Sequence, residues 1–308
     1  MGVFIARRLV TGLFTLWIVT VAVSLLIHLV PGDPVRIMYA QSQSTGPEQI
    51  EAKRHELGLD QPIYDQYFHY MSNVLHGDLG KTIRGEQPVL MLLMLRLPNT
   101  IMLTIASLLF AVAIGGTIGF FSAYFRGTWF DTLGMGVAIA GIAMPSFWLG
   151  LLLMFFFSVR LGWLPVGGTG LASLVLPALT LGLVSAAVLA RLTRSSMLDV
   201  LSQDYMRTAR AKGLAEPLVL ARHALKNSLI PIHTMLGLQI AYLLGGAVVV
   251  ENVFAWNGVG RLAVQAILQR DFPLIQGFVL LFAVIVISVS LVVDVLYAMV
   301  DPRIRYET

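Results

Sequence analysis

Long apolar runs without formal charge alternate with short polar segments along the chain. A helix needs roughly 20 apolar residues to cross a hydrocarbon core of about 30 Å, and it satisfies its own backbone hydrogen bonds there. None of the runs shows the two-residue alternation of a transmembrane β-strand. The pattern predicts an all-α membrane protein with six transmembrane helices, over residues 9–30, 99–125, 132–159, 172–190, 229–250 and 272–294.

Lysine and arginine are distributed unequally between the two sides of the predicted helices. With a cytoplasmic N-terminus, 12 of the 21 Lys and Arg residues lie in the inside segments, which are shorter in total than the outside ones. Cytoplasmic segments of membrane proteins carry such an excess. The distribution therefore predicts one transmembrane domain over 1–308 with both termini in the cytoplasm, an outer loop over 31–97 and a cytoplasmic loop over 191–228.

The predicted outer loop contains further patterns. Apolar and aromatic residues recur at spacings of three and four and predict an amphipathic helix after Pro62. These positions are Leu59, Ile63, Tyr67, Tyr70, Met71 and Val74. Residues 89–98 are too short to cross a membrane, which favours a separate segment at the interface. HGDLGKT at 76–82 lacks the first glycine of a phosphate-binding loop, and it predicts a surface turn.

Composition supports a membrane protein and excludes several function classes. Hydrophobic residues make up 57% of the chain and charged residues 12%, whereas soluble domains have about 25% charged residues. The absence of cysteine excludes a disulfide scaffold, a thiolate metal site and a cysteine nucleophile. The net charge of +4 is typical of basic cytoplasmic loops and does not require nucleic-acid binding. The first apolar run exceeds the roughly 7–15 residues of a signal peptide and predicts a retained helix.

Residue patterns for catalysis or metal binding are missing from the sequence. No two of the six histidines have the spacing of four that a helical metal site requires, and HExxH does not occur. An acidic residue inside a span is a functional candidate by default, and Asp294 is the one that lies within a predicted span. Its position near the end of that span favours a structural role over a proton relay. The spans therefore predict a passive path that is driven from elsewhere.

Glycine and proline mark the predicted helices at several points. Gly115 and Gly119 have the GxxxG spacing, which predicts close helix packing. Pro145 and Pro177 lie in or beside predicted spans, and they are expected to kink them.

The segment between Asp204 and Pro231 is basic and has helical periodicity. Gly213 is placed to end a helix with a positive φ, and Glu216-Pro217 is placed to begin the next one. This second short helix has an apolar stripe formed by Leu218, Ala221, Leu225 and Leu229. Contact with anionic lipid, worth about 1 kcal/mol per charge, and docking of a soluble partner both remain open on these residues.

A series of short motifs covers nearly the whole chain in order. They are IARRL, LVPGDP, LGLDQP, MPSFWLG, DVLSQDYMRTARAKG, VVVENVFAWNGVGR, RDFPLIQG and DVLYAMVDPRIR. With these motifs the chain resembles the permease subunits of bacterial ABC importers of the peptide/nickel group. The resemblance implies a type I importer fold in the inner membrane, a second homologous permease, two cytoplasmic ATPase subunits and an extracytoplasmic binding protein. It also implies a non-catalytic chain without a cofactor, with ATP and Mg on the partner subunits.

The resemblance identifies the basic segment as the loop on which the ATPase subunits act. The implied coupling residues are Asp204, Tyr205, Met206, Arg207, Thr208, Ala209, Arg210, Ala211, Lys212 and Gly213. The importer motif consists of Glu-Ala-Ala, three residues and Gly, and here only Ala209 and Gly213 match it. Tyr205, Met206 and Ala209 are expected to enter a groove of the ATPase.

The implied mechanism is alternating access, in which closure of the ATPase dimer rocks the spans and opens a central path. Pro145, Phe147 and Trp148 are the candidates for lining this path. Relatives carry dipeptides, oligopeptides, glutathione or nickel chelates. The chain is most similar to the glutathione and dipeptide members, with nickel-chelate uptake as the alternative. A secondary carrier without an ATPase is the competing class, and an enzyme is a more distant one.

Overall fold

Helices dominate the part of the chain that the structure describes. The structure, a computed structural model, describes residues 2–29, 35, 46–56, 60–83, 85–168 and 170–300. Its α-helices are α1 Gly2–Leu29, α2 Pro47–Glu56, α3 Ile63–Leu75, α4 Val89–Ala111, α5 Thr117–Tyr124, α6 Trp129–Ala143, α7 Ser146–Leu153, α8 Leu171–Leu201, α9 Asp204–Ala211, α10 Glu216–Leu218, α11 Lys226–Val253, α12 Val259–Gln269 and α13 Phe272–Val300. Three sequence features lie outside the described residues, namely Leu59, residues 31–34 and the tail from Asp301.

In the described part of the chain, three π-helical segments continue α-helices without a break. They are Val112–Gly116 after α4, Met154–Arg160 after α7 and Val219–Leu225 after α10. Pairing of strands in the described ranges is limited to one isolated bridge between Lys81 and Pro88. The predicted all-α class is therefore confirmed.

Among the residues that the structure describes, five helices are long and apolar enough to cross a membrane. They are Ile5–Leu25, Val89–Tyr124, Leu171–Leu201, Pro231–Val253 and Phe272–Val295. The helix pair Trp129–Ala143 and Ser146–Arg160 is bent by 110°, and it gives a sixth candidate if the pair is one span. The bend lies at Pro145, which has no N–H for a helical hydrogen bond. Pro177 lies inside α8 without interrupting it.

The second candidate span begins earlier than the sequence predicts. Residues 89–98 form the first turns of α4, not the separate segment expected. Buried side chains recur on one side of α4 before and after Pro98; they are Val89, Leu93, Thr100, Leu103, Ser107 and Ala111. A proline removes a single helical hydrogen bond. A long helix with a continuous buried side can therefore run through it.

The first of two compact units combines the N-terminal part of the chain with part of α12 and α13. It consists of Met1–Pro98 and Leu262–Ser288. In this unit the hydroxyl oxygens of Thr20 and Tyr67 lie 3.1 Å apart and connect α1 to α3. The predicted apolar positions between Tyr67 and Val74 are half-buried, and Ile63 is exposed. The amphipathic helix predicted after Pro62 is thus confirmed, apart from its first residue.

A turn follows α3 in the first unit and includes HGDLGKT. Gly77 and Gly80 both have a φ of 80°, a conformation that favours glycine. The predicted surface turn is therefore confirmed. The carboxylate of the buried Asp271 accepts the backbone N–H groups of Ile83, at 3.0 Å, and Leu274, at 3.2 Å. Asp271 thereby fixes the end of this turn to the first turn of α13.

The second compact unit is built around α8. It consists of Asn99–Arg261 and Val289–Thr308. Its central cluster of buried residues comes from α4, α8, α11 and the turn after α11, and it includes Leu103, Leu176, Leu181, Leu243, Val250, Phe254 and Trp256. The predicted GxxxG packing is confirmed here. A Cβ at Gly119 would meet the carbonyl oxygen of Ala190 at 2.5 Å, so α5 and α8 approach as closely as glycine permits.

The fully buried carboxylate of Glu251 lies near the end of α11. It accepts hydrogen bonds from Thr100 Oγ1 at 2.6 Å and from the backbone N–H of Arg261 at 2.9 Å. Thr100 Oγ1 in turn accepts the backbone N–H of Val259 at 2.9 Å. A Cβ at Gly258 would collide with the carboxylate. Glu251 thus ties the turn between α11 and α12 to α4.

Candidate coupling surface

Helix α9 contains most of the residues that the sequence marks as coupling residues. It follows Gln203, which has extended backbone angles, and its last residue, Ala211, is followed by Lys212. Gly213 has a φ of 76°, and its backbone N–H donates to the carbonyl oxygen of Arg210 at 2.9 Å. The predicted helix end at a glycine with positive φ is confirmed, because this is the usual conformation of a residue that follows a helix.

One side of α9 is packed against the rest of the second unit. Met206 is 0% exposed and Ala209 is 7% exposed. They lie in a cluster with residues of α5, α8 and the π-helical segment, namely Ala123, Met197, Val219, Leu220 and Ala224. Burying a methionine side chain stabilises by roughly 1.5–3 kcal/mol. The expectation that Met206 and Ala209 enter a groove of an ATPase is therefore wrong, since the chain itself covers both.

The opposite side of α9 is exposed. Asp204, Thr208 and Ala211 follow each other at spacings of four and three, so they share one side of the helix. Tyr205 and Arg207 are exposed beside them. This side combines a polar surface with aromatic and basic side chains at its edges, and the packing of Met206 and Ala209 holds it in place.

The turn around Gly213 is braced by an ion pair between Arg210 and Glu216. The guanidinium donates from Nε to Oε2 at 3.1 Å and from Nη2 to Oε1 at 2.9 Å. The hydrogen bond from Arg210 lowers the pKa of Glu216. Both side chains are more than two-fifths exposed, so solvent weakens the attraction. The pair sets the direction in which the chain leaves α9.

The helix that begins at Glu216 is not the short one that the sequence predicts. It continues from α10 through the π-helical segment Val219–Leu225 into α11. Up to Ser228 its buried residues are Val219, Leu220, Ala224 and Ser228, whereas Leu218 is exposed. The i→i+5 hydrogen bonds of a π-helix change the direction of the side chains, so a stripe assigned with the α-helical period misses the buried side. The side chain of Ala221 lies outside the described residues.

A second ion pair lies in the same unit and joins α6 to α8. Arg194 donates from Nε to Asp131 Oδ1 at 2.6 Å and from Nη2 to Asp131 Oδ2 at 2.7 Å. The backbone N–H of Gly127 also donates to Asp131 Oδ2, at 3.0 Å. The side chains of Asp131 and Arg194 are 7% and 27% exposed.

Sequence reasoning missed both Asp131 and Glu251. Each lies directly beside the bounds of a predicted span, so only Asp294 was expected inside one. The sequence did contain one indication of this ion pair, because Asp131 and Arg194 lie beside the ends of predicted spans on the same predicted side of the membrane. Their pairing across 63 positions is a tertiary contact that no local pattern predicts. Asp294 itself is half-buried in α13.

The three path candidates lie at the bend between α6 and α7. Pro145 precedes the first residue of α7, and Phe147 and Trp148 are 49% and 45% exposed. They lie in the second unit but outside the α9 cluster. Their role as path residues stays a prediction.

Two family models match the sequence. The model described as "Binding-protein-dependent transport system inner membrane component" matches residues 115–306. The model of the N-terminal part of such membrane components matches residues 1–104. The chain belongs to this family. It is therefore a permease subunit of an ABC importer in the inner membrane, as the motifs predicted.

Individual relatives agree with this family over their whole length. The glutathione transport system permease protein GsiC of Escherichia coli (strain K12) is 48% identical over an alignment of 309 positions, which covers 99% of each chain. The protein of the same name from Pectobacterium atrosepticum is 48% identical over 305 residues, again 99% of each chain. Because the chain belongs to this family, it is a subunit of an ABC importer and not a secondary carrier without an ATPase.

Solved structures show the same fold. An inward-facing structure of the MetNI methionine ABC transporter matches with a TM-score of 0.59 and 17% identity, over 68% of this chain and 96% of that one. An amino acid ABC transporter matches with a TM-score of 0.51 and 18% identity, over 68% of this chain and 94% of that one. The type I importer fold is confirmed. In such importers separate ATPase subunits hydrolyse ATP, and a second permease and a binding protein complete the transporter.

Proposed function

We propose that the exposed side of α9 is the surface on which an ATPase subunit acts. The observation that carries this proposal is that α9 has one buried side and one exposed side. Met206 is fully buried in the permease, while Thr208 and Ala211 are exposed. A helix fixed on one side transmits displacement to the helices beneath it, and the free side receives the partner. Arg207 and Arg210 at its edges suit acidic groups on that partner.

The residues from Asp204 to Gly213 divide into two groups under this proposal. Met206 and Ala209 attach the helix to the permease, and Gly213 sets its end. The remaining residues form or border the contact with the ATPase. They are Asp204, Tyr205, Arg207, Thr208, Arg210, Ala211 and Lys212. In this proposal the chain binds no cofactor itself, and the nucleotide and Mg stay on the ATPase.

Site-directed cross-linking tests this contact directly. The chain contains no cysteine, so Thr208→Cys and Ala211→Cys each introduce a single thiol on the exposed side. With a thiol-attached photo-cross-linker in the assembled transporter, both are expected to form adducts with the ATPase subunit. Met206→Cys on the buried side is the matched control and is expected to form none. An assembled complex in which neither exposed position cross-links would contradict the proposal.

We infer a small peptide-like solute as the substrate, with glutathione as the first candidate. The support is the 48% identity over 99% of the chain to a glutathione transport permease. Nickel-chelate uptake is less favoured. Pro145, Phe147 and Trp148 are proposed to line the path at the bend between α6 and α7.

The cognate binding protein offers a direct test of the substrate. Calorimetric titration with glutathione, a dipeptide and a nickel–histidine chelate should show binding of a peptide-like ligand. Binding of the nickel chelate alone would contradict the substrate class and leave the coupling proposal untouched.

A further inference from the structure

The ion pair between Asp131 and Arg194 connects two helices of the second unit whose buried contact is centred on small residues. Ala138 of α6 lies in one buried cluster with Ala187 and Ala190 of α8, and the half-buried Met135 of α6 and Ile118 of α5 pack against this cluster. Contacts between alanines bring backbones close together, but they bury little area and offer few interlocking side chains. They therefore hold two helices together without strongly fixing their sliding or rotation.

The geometry of the pair supplies what these contacts lack. Two parallel N–H···O bonds from one guanidinium to one carboxylate fix both distance and orientation. Asp131 is almost fully buried, and a buried charge is costly unless it is paired and hydrogen-bonded. The third hydrogen bond, from Gly127, also fixes the carboxylate to the turn before α6.

The pair lies next to the place where α9 joins the unit. Arg194 is three residues before Met197, which lies in the same buried cluster as Met206 of α9. On the other side, Gly134 of α6 approaches α5 so closely that a Cβ would meet Ser122 Oγ at 2.8 Å. Helices α5, α6 and α8 thus form one packed group beneath α9.

We propose that Asp131 and Arg194 are positioning residues that make α6 move together with α8 when the ATPase displaces α9. Displacement enters α5 and α8 through Met206, and the pair passes it to α6. From α6 it reaches α7 across the bend at Pro145. This inference rests on the proposed coupling role of α9, and it adds the route by which that displacement reaches the bend.

The test compares charge-neutral and charge-swapped variants in the complete transporter. The complex is reconstituted into proteoliposomes with its binding protein, and uptake of labelled glutathione is measured per ATP hydrolysed. Asp131→Asn and Arg194→Gln are each expected to lower this ratio about tenfold, within the range of coupling in one ion-pair network. The double variant Asp131→Arg/Arg194→Asp is expected to recover most of it. The exposed Arg191→Gln, on the same helix, is the control and should leave the ratio unchanged.

Further measurements separate a positioning role from simple destabilisation. ATP hydrolysis and the Thr208→Cys cross-link should persist in the single variants, because the contact with the ATPase is intact. If the single variants fail to assemble, Arg194→Lys keeps the charge but loses the two-bond geometry, and it is expected to lower the ratio as well.

Three results would overturn the inference: unchanged ratios in the single variants, no recovery in the swap, or an unchanged ratio in an assembled Arg194→Lys complex. Unchanged ratios in the single variants, with an intact Thr208→Cys cross-link, would refute the role of the ion pair and leave the proposed coupling role of α9 standing. Loss of that cross-link in the otherwise native chain refutes the proposed function itself.

Discussion

At the scale of single residues, Glu251 and Gly258 determine the geometry of the turn between α11 and α12. Glu251 is fully buried, and its carboxylate accepts hydrogen bonds from Thr100 Oγ1 and the backbone N–H of Arg261. Gly258 is required beside it, because any Cβ there would occupy the space of the carboxylate. At this scale the sequence offers little guidance, since the side-chain partner of Glu251, Thr100, lies 151 positions away.

Glu251→Gln is expected to destabilise the permease. An amide has one acceptor oxygen where the carboxylate has two, so Thr100 Oγ1 or the N–H of Arg261 loses its acceptor. A buried polar group left unsatisfied costs about 1–3 kcal/mol. Thermal unfolding of the detergent-purified complex should show a lower midpoint for this variant. The exposed Glu48→Gln is the control, and equal midpoints for the two variants would contradict this role of the carboxylate.

Gly213→Pro is expected to uncouple ATP hydrolysis from uptake while the helix bundle stays folded. Proline fixes φ near −65°, whereas Gly213 has a φ of 76° and donates its N–H to Arg210. The variant therefore redirects the end of α9 without a change in the core. Uptake and ATP hydrolysis in proteoliposomes measure the effect, and normal uptake per ATP would refute the role of this turn.

Ala209→Glu is expected to destabilise the fold of the permease instead, because Ala209 is buried against the second unit.

The pair of Arg210 and Glu216 is expected to make the turn sensitive to acid. Arg210 lowers the pKa of Glu216, so the folded state binds fewer protons than the unfolded chain in this range. The contribution of the pair is present above the ordinary pKa of a glutamate, and it is lost as pH falls through the lowered value. The difference in unfolding midpoint between the native chain and Arg210→Gln should therefore shrink on acidification. A difference that grows would contradict the pairing.

At the scale of helices, close packing around α8 depends on glycines at particular positions. A Cβ at Gly115 would lie 2.9 Å from Ala186 Cα and 3.0 Å from its carbonyl carbon, whereas a Cβ at the adjacent Gly116 meets nothing within 4 Å. The GxxxG spacing predicted this contact. Which helix it faces was not predictable, because the spacing does not identify the partner.

Gly115→Ala is expected to lower the stability of the bundle, and Gly116→Ala is not. Forcing a methyl group against a backbone typically costs about 1–3 kcal/mol. Both residues are glycines of the same π-helical segment, so the change in helix propensity is the same for the two variants. Thermal unfolding midpoints of the two variants provide the measurement. Equal midpoints would show that α8 does not constrain this segment.

The ends and lengths of helices show what hydropathy can and cannot predict. The end of α9 at Gly213 and the restart at Glu216 follow from local backbone chemistry, and the sequence predicted both. The extension of α8 to Leu201 was missed, because polar residues beyond the apolar run have no hydropathy signal even when they stay helical. The π-helical segment Val219–Leu225 was missed as well, and it changes which residues of that helix are buried.

At the scale of the whole molecule, the chain is a permease subunit that needs partners for energy and for substrate delivery. Motifs distributed along the sequence were sufficient to predict this family, because each reflects a local constraint. The end of the candidate coupling helix at Gly213 was predictable from the sequence. The division of its two sides, however, depends on the burial of Met206 in a cluster with residues of α5, α8 and the π-helical segment, which only the tertiary structure shows.

The central claim is that ATP-driven displacement enters this subunit through the exposed side of α9. Binding-protein-stimulated ATP hydrolysis of the reconstituted transporter, with Thr208→Trp in this chain, tests it most directly. An indole on the exposed side obstructs the ATPase without touching the buried side, so stimulation should be lost while the two permease subunits still assemble. Full stimulation in the assembled Thr208→Trp complex would contradict the account.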